Sequence, residues 1–301
     1  QNFYAIDHES SNGYISNLKK IKPGDIVISE IPEYMISEYK NANINPHIAV
    51  ITSLTSVGTG GDNEVFGLLE RQTYNNFIIA PDSVIDVLRN RFGFTARAKI
   101  FRTRKGLVPA NWNISIQYPQ YKENASLALQ VSEIFKIDRD IAQGVIESFK
   151  GVKGHMEFVR SIKNVDYYND AGSTSPEATR SAIMNLYKDN PNPEDKNIIL
   201  IIGGAYTGYE YQSLVETIGQ SVRLVICLPG SGTVGFRNQL LSLKNVEFKQ
   251  ALDIREALTF AKENTKKGDK VIFSPACIAL GVFENRLDRI DKFTKLIKGL
   301  K

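Results

Sequence analysis

From residue 165 onward, short apolar runs alternate with longer stretches of helical period. The runs are VDYYND (165–170), NIILIIGG (197–204), VRLVICL (222–228), NVEFKQ (245–250) and KVIFSPA (270–276). Between and after them lie PEATRSAIMNLY, YQSLVETIG, TVGFRNQLLSL, DIREALTFAKEN and VFENRLDRIDKFTKLIKGL, each with apolar residues recurring at helical spacing. Strands alternating with helices of this length predict a parallel, doubly wound sheet. Ligands of such sheets collect beyond the carboxyl ends of the strands. That directs attention to NDAGST, GGAYTG, LPGSGT and SPACIALG, which follow strands.

The first half is less regular. DIVISE (25–30), HIAVITSLT (47–55) and NNFIIA (75–80) read as strands, with EYMISEYKNA as a short helix between the first two. AKIFRTRKGLVPANWNISIQ (98–117) reads as a β-hairpin or meander, and YKENASLALQVSEIF and DRDIAQGVIESF as two helices. Gly151 to Gly154 form the expected linker, which sets two domains, 1–150 and 151–301. A chain of 301 residues fits that division, at a prior of about 150 residues per domain.

Composition removes several classes. Hydrophobic residues make up 42% and charged residues 23%, values of an ordinary globular chain able to bury a core. The net charge of +4 is spread along the sequence without the basic stripe of a nucleic-acid binder. No apolar run approaches the length of a membrane span. The two cysteines, Cys227 and Cys277, sit inside apolar runs, so buried thiols in a reducing, cytoplasmic setting are expected. Gln1 is not an initiator residue, and the opening QNFYAIDHES has no signal-peptide pattern. The chain therefore reads as a fragment or a processed product.

Four blocks in the second half carry a resemblance. GVKGHMEFV resembles the Gly-Leu-Pro-His-Arg-Met-Glu-x-Val linker of the Mur ligase family, and VDYYNDAGSTSPEAT its strand ending in Asn-Asp-Ser-Lys-Ala-Thr-Asn. IILIIGGAYTGYEY is similar to the family's Gly-Gly-x-x-Lys-Gly strand and loop, and KVIFSPACIALGVFENRLDRIDKF to its Ser-Pro-Ala-Cys terminal block. More weakly, DIVISE and INPHIAVITSLT match two strands of the family's central ATPase domain. The resemblance implies an α/β protein, with a partial central ATPase-type domain followed by a Rossmann-like parallel-sheet C-terminal domain. It implies ATP and Mg²⁺ as cofactors, and a ligase of peptidoglycan precursor synthesis. Such an enzyme adds an amino acid, D-glutamate in the most similar branch, to UDP-N-acetylmuramoyl-L-alanine. ATP phosphorylates the carboxylate, the amine attacks the acyl phosphate, and a tetrahedral intermediate collapses to the amide.

Carried over residue by residue, the resemblance makes Glu30 a metal ligand, and its bland alternative is a solvated acid opening a turn. Asn124 matches an asparagine near adenine, and its alternative is a helix cap or first-turn residue. Asn169 and Asp170 match a nucleotide-contacting pair, although Ser175 before Pro176 would cap the next helix without any ligand. His155 stands where the family has a phosphate-contacting arginine, and it lacks the guanidinium fork. Thr174 matches a threonine holding the amino-acid substrate, and Thr207 takes the position of a lysine in the same pocket. Gly203 and Gly204 read as a tight strand-to-loop turn, and Cys277 as structural.

The departures are equally specific. No Gly-x-x-x-x-Gly-Lys-Ser/Thr stretch occurs in these residues, whereas the family carries its phosphate loop before the strand matched by DIVISE. SVGTGGD replaces an Asp-His-Leu-Asp-x-His block, and no lysine lies at Val65–Gly67, where the family carbamylates one. In the amino-acid pocket Ala279 replaces a serine and Leu287 an aromatic residue. Two classes of function therefore stand side by side: an ATP-dependent ligase, and a binding or regulatory module that kept the fold and lost the chemistry.

Overall fold

The computed structural model describes residues 2–6, 19–31, 35–54, 61–104, 107–116, 118–188, 190, 195–206, 208–279 and 283–300. The chain divides into two compact units, Gln1–Phe149 and Lys150–Lys301.

In the first unit β1 (Phe3–Ile6) and β2 (Ile26–Ser29) form a two-stranded parallel sheet, with Phe3 opposite Ile26. After α1 (Ile36–Asn41) comes a second parallel sheet of β3 (Ile48–Val50), β4 (Phe77–Pro81) and β5 (Lys99–Thr103), with β4 in the middle. Helices α2 (Gly61–Leu69) and α3 (Asp82–Phe92) connect these strands. Ile78 and Ala80 of β4 pack with Val84, Ile85 and Leu88 of α3, the i, i+1, i+4 face of an amphipathic helix. Gly93, at φ 64°, ends that helix in the left-handed conformation that glycine adopts without strain.

The hairpin expected over 98–117 does not form. Only β5 is extended there, and it pairs with β4 alone among the described residues. Trp112 instead turns back on Pro109 through its backbone N–H and joins Ile114 in a small core beneath α4 (Pro119–Ile134) and α5 (Arg139–Ser148). Proline supplies no ladder donor, and the aromatic anchor gains more from burial than from a strand edge.

The second unit is built on one six-stranded sheet. Its strands are β6 (Glu157–Ile162), β7 (Val165–Asn169), β8 (Ile198–Ile202), β9 (Val222–Cys227), β10 (Glu247–Gln250) and β11 (Lys270–Phe273). The spatial order is β10-β9-β8-β11-β7-β6, and only the β6–β7 pair is antiparallel. All five residues of β8 are buried, the continuous apolar run expected of a parallel strand covered on both faces. The crossovers are α6 (Pro176–Lys188), α7 (Gln212–Ser221), α8 (Ser231–Leu241) and α9 (Ile254–Asn264), and α10 (Arg286–Gly299) closes the chain against β6 and β7. Ser175 Oγ accepts from Ala178 N and caps α6, with Pro176 as its first residue. Asp253 caps α9 by accepting from two backbone N–H groups. Among the described residues no helix is long and apolar enough to cross a membrane.

Candidate active site

The residues of interest in the second unit meet where three strands end. β7 runs into Asp170, β8 into Gly203 and Gly204, and β11 into Ser274 through Cys277. β8 and β11 are neighbours, but the chain leaves β8 toward β9 on one side and leaves β11 toward α10, which packs on β6 and β7 at the other. The junction is therefore a topological switch point, the usual ligand position of an open parallel sheet. Backbone bonds knit its two lips together: Gly203 N donates to the Pro275 carbonyl at 3.1 Å and Ala205 N to that of Ile278 at 3.1 Å.

The glycines there have a steric reason. A Cβ on Gly230 (φ 151°) would lie 2.1 Å from the Gly204 carbonyl oxygen, and one on Gly232 would lie 2.8 Å from Cys277 Sγ. Cys277 and Cys227 are both fully buried, and burial pushes both thiols up, that of Cys227 to about 12. A protonated, enclosed thiol is a packing group rather than a nucleophile.

Asp170 ties this junction to the residue that precedes β6. It is buried, and its Oδ1 accepts from Met156 N at 2.9 Å. Its Oδ2 accepts from Ser173 Oγ at 2.7 Å and Ser274 Oγ at 2.6 Å. Desolvation raises its pKa from 3.8 to about 6, against the opposing pull of those three donors and of the Arg289 charge. Arg289 is itself fully buried and donates to the Cys277 carbonyl at 2.7 Å. Asn169 is equally engaged. Its amide nitrogen donates to the Ile290 carbonyl and to Thr294 Oγ1, and its oxygen accepts from Ala171 N. Both side chains hold the end of β7 in place.

His155 is half-buried beside Gly172, where an added Cβ would strike its ring at 2.6 Å. Its Nε2 lies 3.0 Å from Nη1 of Arg286, the first residue of α10. The guanidinium can only donate, so Nε2 is the acceptor and carries no proton in this contact. The linker position that lacks an arginine thus has one beside it, delivered by a helix 131 residues away. No spacing in the sequence signals that pair. Thr174 is partly exposed in the loop before α6, and Leu287 is exposed on α10. Thr207 lies outside the described residues, as do residues 56–60 of the SVGTGGD segment.

In the first unit, Glu30 is exposed at the carboxyl end of β2, where its backbone N–H donates to the Ile6 carbonyl. A carboxylate oxygen there suits a hard divalent ion. Among the described residues no cluster of three acidic, histidine or cysteine side chains surrounds it. Asn124 is exposed in the second turn of α4, whose cap is Tyr118 with Pro119 following. That removes the helix-cap and first-turn alternatives for Asn124. Near Val65–Gly67 a lysine does arrive, from another element: Lys40 Nζ of α1 pairs with Glu64 at 2.9 Å and would lie 2.9 Å from a Cβ on Gly67.

No family model matches the chain. The UDP-N-acetylmuramoylalanine–D-glutamate ligase of Clostridioides difficile is 33% identical over 182 residues, 60% of this chain and 38% of that protein. Its counterpart from Caldanaerobacter subterraneus is 28% identical over 245 residues, 80% of this chain and 51% of the relative. That from Christiangramia forsetii is 25% identical over 316 residues, 91% of this chain and 68% of the relative. The chain is thus similar to ligases of the Mur family over most of its length. It spans about half or less of the length of the first two relatives, 38% and 51%. Among solved structures, MurF from Acinetobacter baumannii superposes with a TM-score of 0.65 at 12% identity, over 97% of this chain and 71% of that one. A Mycobacterium tuberculosis folylpolyglutamate synthase complexed with ADP gives 0.66 at 15% identity, over 93% and 69%. At such identities these structures establish the shared α/β fold.

Proposed function

We propose that this Mur ligase relative serves ATP-dependent amide ligation in peptidoglycan precursor synthesis, joining D-glutamate or a related amino acid to UDP-N-acetylmuramoyl-L-alanine. The observation that carries the reading is a match to D-glutamate ligases over 245 residues, 80% of the chain. In this reading residues 1–150 are the ATPase-type part and 151–301 the amino-acid-binding part. ATP supplies the phosphoryl group that activates the carboxylate. Mg²⁺ would be held by Glu30 together with waters and phosphate oxygens, as a small hard cation requires.

Asn124 offers its exposed amide to a base edge, and that amide has no partner among the described residues. Asn169 and Asp170 act on nucleotide through position, since their side chains are already engaged within the fold. Thr174 faces the amino-acid substrate from the loop before α6. Ligand binding tests this. ADP should bind the 301-residue chain weakly in calorimetry, and Asn124→Ala should weaken it by about 0.5–1.5 kcal/mol, roughly two- to tenfold. Absence of ADP binding, or equal binding by the variant, removes the assignment.

Turnover is a separate matter. These residues contain no Gly-x-x-x-x-Gly-Lys-Ser/Thr loop to cradle the transferred phosphate. The chain by itself should therefore release no phosphate from ATP in the presence of UDP-N-acetylmuramoyl-L-alanine and D-glutamate. Substrate-dependent release that survives rigorous purification would contradict this expectation. The second reading, a binding module without catalysis, is favoured by the inward commitment of Asn169 and Asp170. It predicts binding of the uridine nucleotide or the amino acid without ADP.

A further inference from the structure

Three segments that are far apart in the sequence meet where β7 and β11 begin, at the end of the sheet opposite Asp170. The β6–β7 turn is tied to the turn before β11, because Gly268 N donates to the Asn164 carbonyl at 2.8 Å. The last turn of α10 is tied to β6, because Arg160 Nη1 donates to the Lys298 carbonyl at 3.1 Å. Each segment brings lysine. Lys163, Lys266, Lys267, Lys295 and Lys298 are all exposed, and among the described residues none of them forms an ion pair. Residues 160–166, 262–270 and 295–300 hold eight basic side chains against three acidic ones, Asp166, Glu263 and Asp269. Asp269 is already held by Arg223 at 2.5 Å, which leaves the lysines in clear excess.

Local chemistry accounts for part of this. Lysines in the last turn of a helix answer the partial negative charge of its free carbonyls, which covers Lys295 and Lys298. It does not cover Lys163, Lys266 and Lys267, which sit in turns. Lys163 even occupies φ 51°, a conformation that asparagine and glycine adopt more easily. The patch also lacks what other partners need. Protein interfaces centre on aromatic and apolar side chains and are depleted in lysine, yet no large apolar side chain is exposed in these segments. Single-stranded nucleic acids are gripped by stacking on aromatic rings, and these segments expose none. A flat array of negative headgroups requires only charge, and mobile, strongly hydrated lysine ends supply it.

We propose that this end of the second unit docks on an anionic lipid bilayer, with the five lysines lying over the headgroups and nothing inserted. β7 and β11 then run away from the membrane, so the switch point at Asp170, Gly203 and Ser274 stays open to solution. The inference stands on the placement of charge and is independent of the ligase reading.

The test sediments the 301-residue chain with sucrose-loaded vesicles of equal parts phosphatidylglycerol and phosphatidylcholine. At low salt the chain should bind these vesicles and leave pure phosphatidylcholine vesicles alone. Salt at about 1 M, where the Debye length is about 3 Å, should release it. Lys266→Glu combined with Lys267→Glu should weaken binding by about tenfold or more. If that variant does not fold, Lys163→Asn with Lys298→Gln replaces it, since both substitutes suit their backbone positions. Arg255→Glu makes the same kind of charge change in the first turn of α9, at the carboxyl edge of the sheet, and should leave binding within about twofold. The proposal is overturned by no binding to the anionic vesicles, by equal binding to neutral ones, or by binding that persists in high salt. It is equally overturned if Arg255→Glu matches the lysine variants, or if polyglutamate or duplex DNA binds more tightly than the anionic vesicles.

Discussion

Asp170→Ala should destabilise the second unit by about 3 kcal/mol, because it strips a partner from three donors inside the protein. Met156 N, Ser173 Oγ and Ser274 Oγ all converge on this one carboxylate. Ser274 Oγ keeps a second neighbour in Thr179 Oγ1 at 2.7 Å, so the backbone N–H of Met156 bears the largest loss. Met156 is also held at φ 49°, a left-handed conformation that the bond to Asp170 helps to fix. Asp170→Asn should cost less, since the amide oxygen still accepts from Met156 and the serine hydroxyls can rotate to accept from its nitrogen.

The same residue sets a pH dependence. Its pKa is raised from 3.8 to about 6 in the folded state, so the native protein binds the proton more tightly than the unfolded chain. Between about pH 4 and 6 the unfolding free energy should therefore fall as pH rises, then level off once the folded carboxylate is ionised. The full change is on the order of 3 kcal/mol, and Asp170→Asn should flatten it. The single tryptophan, Trp112, lies in the first unit, so its fluorescence follows that unit, while circular dichroism follows both. The Asp170 variants should move the dichroism transition and leave the Trp112 transition in place. An unshifted dichroism curve for Asp170→Ala would show that water replaces the carboxylate without loss.

Gly230→Ala carries the second large effect, about 4 kcal/mol or more, enough to prevent the second unit from folding at physiological temperature. Two costs add. The backbone sits at φ 151° and ψ 157°, a region essentially reserved for glycine. The new Cβ would also meet the Gly204 carbonyl oxygen at 2.1 Å and its carbon at 2.4 Å, backbone atoms that cannot swing aside. Gly235→Ala is the matched control. It lies within α8, the helix that Gly230 caps, with nothing within 4 Å of its added Cβ, and should be neutral or mildly stabilising. Urea titration of both variants by dichroism separates the outcomes, and equal midpoints would refute the close-approach argument.

Much of the second unit was legible in the residues themselves. IILII, VRLVIC and KVIF are runs that only a strand enclosed on both faces needs, and Ser175–Pro176 and Asp253 mark helix starts by local chemistry. The first unit was less so. The helix α3 escaped notice beside the stronger strand signal of NNFIIA, and the apolar character of IFRT suggested a hairpin that Pro109 and Trp112 redirect into a separate small core. Strand β6 was hidden in the linker motif, because an antiparallel edge strand of mixed polarity leaves no distinctive run.

By itself, then, the sequence determined what depends on neighbours a few residues apart: strand and helix periods, caps, tight turns, and the motif blocks that mark the family. Tertiary structure alone decided how the candidate residues are employed. Ser274 reaches Asp170 across 104 residues and Thr294 reaches Asn169 across 125, so both side chains brace the end of β7. Arg286 meets His155, and Lys40 comes to lie over Gly67, by the same means. The physical reason is that charge, hydrogen bonding and desolvation act over a few ångströms of space, and which side chains share that space is fixed by how the sheets and helices pack, not by their order along the chain.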